Sequence, residues 1–133
     1  MLGIDAGERR VGVALSDELR LLATPVAILD RRNGLAPVLD HLADLARREG
    51  VSHVVVGLPL NDDGSEGPQA RRARDFARVA QRVLQRPVTM WDERLSTQEA
   101  EAIVRGQKGG KRRTATDDVA AAVILQDYLD AQC

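Results

Sequence analysis

Apolar positions along this chain recur in two rhythms, one that alternates or runs short and one that repeats every three to four residues. Met1-Leu2-Gly3-Ile4-Asp5-Ala6-Gly7 and Val11-Gly12-Val13-Ala14-Leu15-Ser16 read as two strands joined by a tight turn at Gly7. Leu21 to Leu29 reads as a third extended segment, with Pro25 favouring a sheet edge or a bulge. After the turn Asp30-Arg31-Arg32-Asn33-Gly34, the positions Leu35, Val38, Leu39, Leu42, Leu45 and Ala46 predict an amphipathic helix ending at Gly50. Pro37 is tolerated there because it falls in the first turn.

Ser52-His53-Val54-Val55-Val56-Gly57 has the short continuous apolar character of a central strand covered on both faces. A polar loop, Leu58 to Gly67, precedes a second helix marked by Phe76, Val79, Ala80, Val83 and Leu84. The other side of that helix carries Arg71, Arg74, Arg78 and Arg82, a face expected to be solubilising. Pro87 ends it, and Val88 to Trp91 forms the next strand. Ser96 with Glu99 fits a capping box for a third helix through Arg105. Thr116 can cap a last helix from Asp117 to about Asp130. That helix is apolar nearly all round at its start and should lie buried on the sheet. The order predicts an α/β fold of one domain, residues 1–133: an antiparallel β-β-β unit, two further parallel strands, and helices on both faces of a mixed five-stranded sheet.

Composition narrows the function. A 133-residue chain with 44% hydrophobic and 29% charged residues is long enough to bury a real core. Aromatics make up only 2%, so the core is aliphatic and there is no stacking platform for single-stranded nucleic acid. The formal net charge of −1 excludes a uniformly basic surface but leaves room for local patches. The single cysteine, Cys133, allows no intrachain disulfide. With neither a membrane-length apolar run nor a signal-peptide pattern, the expected location is cytoplasmic, with no membrane partner.

The chemistry lies in acids that interrupt apolar context. Asp5 sits in mid-strand, where an ionised carboxylate is costly unless a cation meets it. Asp92 and Glu93 follow the strand ending at Trp91, and Asp117 and Asp118 open the last helix. Carboxylates from three separated element ends suit a hard divalent cation such as Mg²⁺ or Mn²⁺. Two such ions about 4 Å apart can activate water and stabilise a leaving oxygen in phosphodiester cleavage. Three of these acids have a plainer reading, Asp5 being the hardest to dismiss: Asp117 can serve the helix macrodipole, and Asp92 and Glu93 can be loop acids paired with Arg94. Between Arg105 and Arg113 lie five cations (Arg105, Lys108, Lys111, Arg112, Arg113), three glycines and no acid, a composition that follows a phosphate backbone without reading bases. Arg9 and Arg10, beside Gly7, are candidates to hold a phosphate near Asp5. Gly57-Leu58-Pro59 lies where ligand crevices of α/β sheets form and is expected to shape a floor. His41 and His53 have no partners at metal-ligand spacing.

Four co-linear stretches resemble the YqgF/RuvX family: Leu2 to Asp17, Val55 to Pro59, Trp91-Asp92-Glu93-Arg94-Leu95-Ser96-Thr97, and Asp117 to Gln126. The resemblance runs through the whole chain. It implies a ribonuclease H-like fold related to the Holliday-junction resolvase RuvC, and a cytoplasmic bacterial nuclease that matures the 5′ end of pre-16S rRNA. Carried over by motif, the family's catalytic and metal-binding acids fall on Asp5, Glu93 and Asp117, with Asp118 and Asp92 as alternates. Arg9, Arg10, Arg94, Lys108, Lys111, Arg112 and Arg113 are the expected nucleic-acid contacts. Two other functions are weighed against structured RNA as substrate: resolution of branched, four-way DNA junctions, which needs a homodimer rather than a monomer, and a non-catalytic module binding ribosomal or transcription components.

Overall fold

A computed structural model describes residues 1–95, 102–104 and 117–132, apart from the side chains at 95, 117 and 118. The elements follow the order β1 (Leu2–Ala6), β2 (Arg10–Ser16), β3 (Ala23–Asp30), α1 (Leu35–Arg48), β4 (Val54–Leu58), α2 (Pro68–Leu84), β5 (Val88–Asp92), a 3-10 turn (Glu93–Leu95) and α3 (Asp117–Ala131). Residues 102–104 are helical, within the span expected for a helix after β5. The Ser96/Glu99 capping box and the Thr116 cap lie outside the described residues.

The strands form one sheet in the order β3-β2-β1-β4-β5. β1 pairs antiparallel with β2 and parallel with β4, and β5 continues parallel beyond β4. This is the mixed sheet expected from the sequence, with β1 at its centre. Pro25 sits on the edge strand β3, where a missing N–H is tolerated, and at a register shift: Val13 pairs with Ala27 but Ala14 with Pro25. The third strand begins at Ala23 rather than Leu21. Asp17 Oδ1 accepts the amide N–H groups of Leu21 (2.7 Å) and Leu22 (3.1 Å), which closes the turn at residues 18–19 and takes those two amides out of the strand ladder.

Strand parity divides the side chains between two cores. Leu2, Ile4, Val11, Val13, Val54, Val56 and Leu58 face α1 and α2, packing on Leu42, Leu45, Phe76 and Ala80. Ala14 and Val55 face α3, against Ala121, Ala122, Ile124 and Leu125. On α2 the buried stripe runs through Ala73, Ala77, Ala80 and Leu84, and Val83 falls at its margin, 42% exposed. Among the described residues no helix is long and apolar enough to cross a membrane.

The α3 face of the sheet is stripped of bulk at its centre. A Cβ on Gly3 would stand 2.7 Å from Leu125 Cβ and 3.0 Å from the Ala121 carbonyl oxygen. Neither contact is with a flexible tip, so α3 would have to lift off the sheet. Gly3→Ala should therefore destabilise the fold by about 1–3 kcal/mol, the usual cost of overpacking. Urea unfolding followed by circular dichroism measures it, and unchanged stability would show that α3 is not seated this closely.

Candidate active site

Three parallel strands, β1, β4 and β5, end at the same edge of the sheet, which is where crevices of open α/β sheets form. Asp5 lies near the end of β1 with the parity of Gly3, so its side chain is on the α3 face. Glu93 follows directly after β5, in the 3-10 turn. Gly57, near the end of β4, makes room between them. A Cβ there would lie 2.5 Å from Ile124 Cδ1 and 3.1 Å from both Glu93 Cγ and Cδ. The Glu93 side chain thus folds across the β4 backbone towards Asp5.

This placement sets the electrostatics. Glu93 is half-buried, and its pKa is pushed up to about 7, first by burial, then by the charge of Asp5, then by that of Asp92. The two carboxyl groups line a cleft of about 190 Å³ with Ala6, Gly7, Glu8, Pro59, Gln69 and Arg72. A partly desolvated carboxyl beside a second acid takes its charged form readily only when a cation joins them. The donor set therefore fits a hard, oxygen-seeking ion. Among the described residues no group of three His, Cys, Asp or Glu side chains gathers at metal-ligand distance.

The third expected acid is positioned through its helix. Gln126 of α3 accepts from the Ala23 N–H (2.9 Å) and donates to the Leu21 carbonyl (2.9 Å). Tyr128 stacks on His53 at 6.0 Å, ahead of β4. The C-terminal half of α3 is therefore at the edge where β1 and β4 begin, and its N-terminus points to the edge where they end. Residue 117 is about 6 Å of helix rise beyond Ala121, and Asp5 is about 6.6 Å of strand beyond Gly3, which Ala121 touches. The backbone at Asp117 and Asp118 thus heads to the edge that bears Asp5 and Glu93. The side chains of both aspartates lie outside the described residues.

The remaining expected residues separate. Asp92 is held by Arg94 at 2.8 Å, which lowers the Asp92 pKa. Arg94 also donates to the carbonyls of Asn61 (3.4 Å) and Asp62 (3.2 Å), tying the loop after β4 to the end of β5. Arg9 and Arg10 are exposed on the hairpin, and neither lines the cleft. Lys108, Lys111, Arg112 and Arg113, with Arg105, lie outside the described residues. His53 bonds Thr89 Oγ1 at 2.7 Å and His41 is exposed on α1.

The sequence reading missed Glu8, Gln69 and Arg72, which line the cleft. Gln69 and Arg72 are three apart in the first two turns of α2, directly after the loop leaving a buried strand, and that position was the available signal. Also missed was the bond from Trp91 Nε1 to Asp127 (2.8 Å), which joins β5 to α3 and leaves Asp127 buried but partnered.

Comparison with known proteins agrees with this architecture. The chain superposes on Thermus thermophilus RuvC, in complex with a Holliday junction substrate, with a TM-score of 0.69 and 15% identity, covering 99% of this chain and 95% of that one. A second Thermus thermophilus RuvC structure matches equally, with a TM-score of 0.69 at 16% identity. The fold is therefore the ribonuclease H-like fold of RuvC. At the level of sequence, the family described as "RuvX: Holliday junction resolvase" matches residues 1–131. Relatives carrying the name "Putative pre-16S rRNA nuclease" include one from Anaeromyxobacter dehalogenans (47% identity, covering 97% of this chain and 95% of the relative) and one from a Nocardioides species (46%, covering 98% and 87%). The chain belongs to the RuvX family, and it is a nuclease.

Glu93 gives the site a pH signature. Its folded pKa, about 7, lies above the ordinary 4.5, so folding takes up a proton between those values. Its contribution to stability is largest below about pH 4.5, is lost as pH rises through 7, and stays lost above. Metal-free Glu93→Gln should therefore be more stable than the parent at pH 8 and lose that advantage at pH 4.5. Urea titrations at the two pH values check this, and equal differences at both would show that Glu93 titrates normally.

Proposed function

We propose that Asp5, Glu93 and Asp117 hold a divalent cation, Mg²⁺ or Mn²⁺, and that the chain hydrolyses phosphodiester bonds in structured RNA, maturing the 5′ end of pre-16S rRNA in the cytoplasm. The observation that carries this is the Asp5–Glu93 pair at the carboxyl edge of the sheet, where burial and like charge raise the Glu93 pKa. When bound, such an ion supplies Lewis acidity and lowers the pKa of a coordinated water. The protein's part is to hold the two carboxylates close, at some cost in stability, in a crevice partly shielded from solvent. Arg94 secures the turn that carries Glu93, and Arg72 offers a cation at the rim for a phosphate. RNA as the substrate is supported by the names of relatives at 39–47% identity. The family description supports a second reading, a four-way DNA junction as substrate.

Asp5→Asn and Glu93→Gln should each slow cleavage of an RNA hairpin by about 100-fold or more, as loss of a single charge-stabilising group does elsewhere. RNA affinity without metal should change little. Gel assays at saturating Mn²⁺, run in parallel on RNA hairpins and DNA four-way junctions, test both parts. Parent-like cleavage by Asp5→Asn would overturn the carboxylate assignment, and cleavage of the junction alone would transfer the substrate to DNA.

A further inference from the structure

A second recess, about 380 Å³, lies along α2 next to the end of β3 and the start of α1. Its charged lining is Arg31, Arg71, Arg72 and Asp75, over an apolar floor that includes Leu35 and Phe76. The one acid is already engaged: Asp75 pairs with Arg78 at 3.2 Å. Arg31 is half-buried, and its Nη1 donates to the Gly7 carbonyl at 2.7 Å, in the hairpin turn that also lines the carboxylate cleft. Burial and the charge of Arg72 both work against the Arg31 cation. Arg72 makes no side-chain hydrogen bond or ion pair with any described residue, whereas nearby Arg74 and Arg94 are held by Glu66 (2.7 Å) and Asp92 (2.8 Å). Two guanidinium groups held close without an intervening carboxylate make an arrangement that an incoming anion relieves.

Arg72 also links spaces. It lines the carboxylate cleft, this recess, and a third hollow of about 430 Å³ bounded by Pro59, Asn61 and Gln69. A groove therefore leads from Asp5 and Glu93 past Arg72 to Arg31. Phe76, the aromatic residue of its floor, is only 1% exposed and offers no ring face to a base. What the groove presents is guanidinium donors, which suit backbone phosphate. Glu8 lines the cleft and the third hollow as well, so the recess at Arg31, Arg71 and Arg72 is the part of this surface that Glu8 does not line.

We infer that Arg31 and Arg72, with Arg71 beside them, form a phosphate shelf that grips the substrate strand next to the cleavage point, independently of base identity. This deepens the nuclease reading and rests on it for the nature of the ligand. The test is binding of a labelled RNA hairpin, in chelator without divalent metal, across a salt series of about 50–400 mM. Arg31→Ala and Arg72→Ala should each weaken binding about 10-fold, the worth of one charged hydrogen bond. Each should also reduce the slope of log affinity against log salt by about 0.7–0.9. Arg31→Lys, which keeps the charge if the bond to Gly7 matters for folding, should retain most of the slope. Arg48→Ala, which removes an exposed arginine of α1 paired with Asp44, should leave affinity and slope unchanged. Parent-like affinity and slope in the Arg31→Ala/Arg72→Ala double variant would overturn the shelf. Failure of the carboxylate assignment would appear instead in cleavage by Asp5→Asn, which this metal-free measurement does not read.

Discussion

The close seating of α3 on the strands β1 and β4 is the constraint on which the rest depends. Gly3 and Gly57 remove side chains where Ala121, Leu125 and Ile124 press on the sheet, so helix and sheet approach at backbone distance. The same bare strip lets the Glu93 side chain cross β4 and brings it beside Asp5. Packing and site geometry thus meet at Gly57: bulk there presses on Ile124 of the helix and on the Glu93 carboxyl group together, whereas bulk at Gly3 presses on the helix alone. The polar anchors at the other end of the helix, Gln126 on the start of β3 and Asp127 on Trp91, fix its direction and slide. With that end pinned, the helix start has little choice but to face the edge that bears the acids.

The carboxyl edge of the sheet is electrostatically uncomfortable, and its surroundings divide into groups that relieve the strain and groups that leave it. Asp92 is neutralised by Arg94, which at the same time braces the loop after β4. Glu93, one residue on in the 3-10 turn, meets Asp5 and partial burial instead. Holding like charges together in a partly buried place costs stability, a cost commonly found at catalytic sites. The shelf of Arg31 and Arg72 is the cationic counterpart. The acidic cleft and the arginine recess adjoin at Arg72, which lines both. On the proposed function, a phosphodiester with a hard metal ion would meet both.

Much of this was legible in the chain. Alternation and helical spacing specified the element order, the edge position of Pro25 and the buried last helix, because these follow from local sterics and from which face must avoid water. The acids stood out for the same reason: a carboxylate in an apolar strand breaks the pattern that folding demands. Boundaries moved where a side chain competed for the backbone, as Asp17 does for the amides of Leu21 and Leu22. Arg72 was hidden among the arginines of α2, since its sequence neighbours look alike and only the packing of α2 beside the hairpin distinguishes it. What the sequence by itself determined was therefore the elements, their order and the residues out of place in them. Tertiary structure alone decided which distant charges meet: that Glu93 faces Asp5, and that Arg31 and Arg72 stand together. Those pairings join residues distant along the chain, through sheet register and the seating of helices, and no local periodicity encodes them.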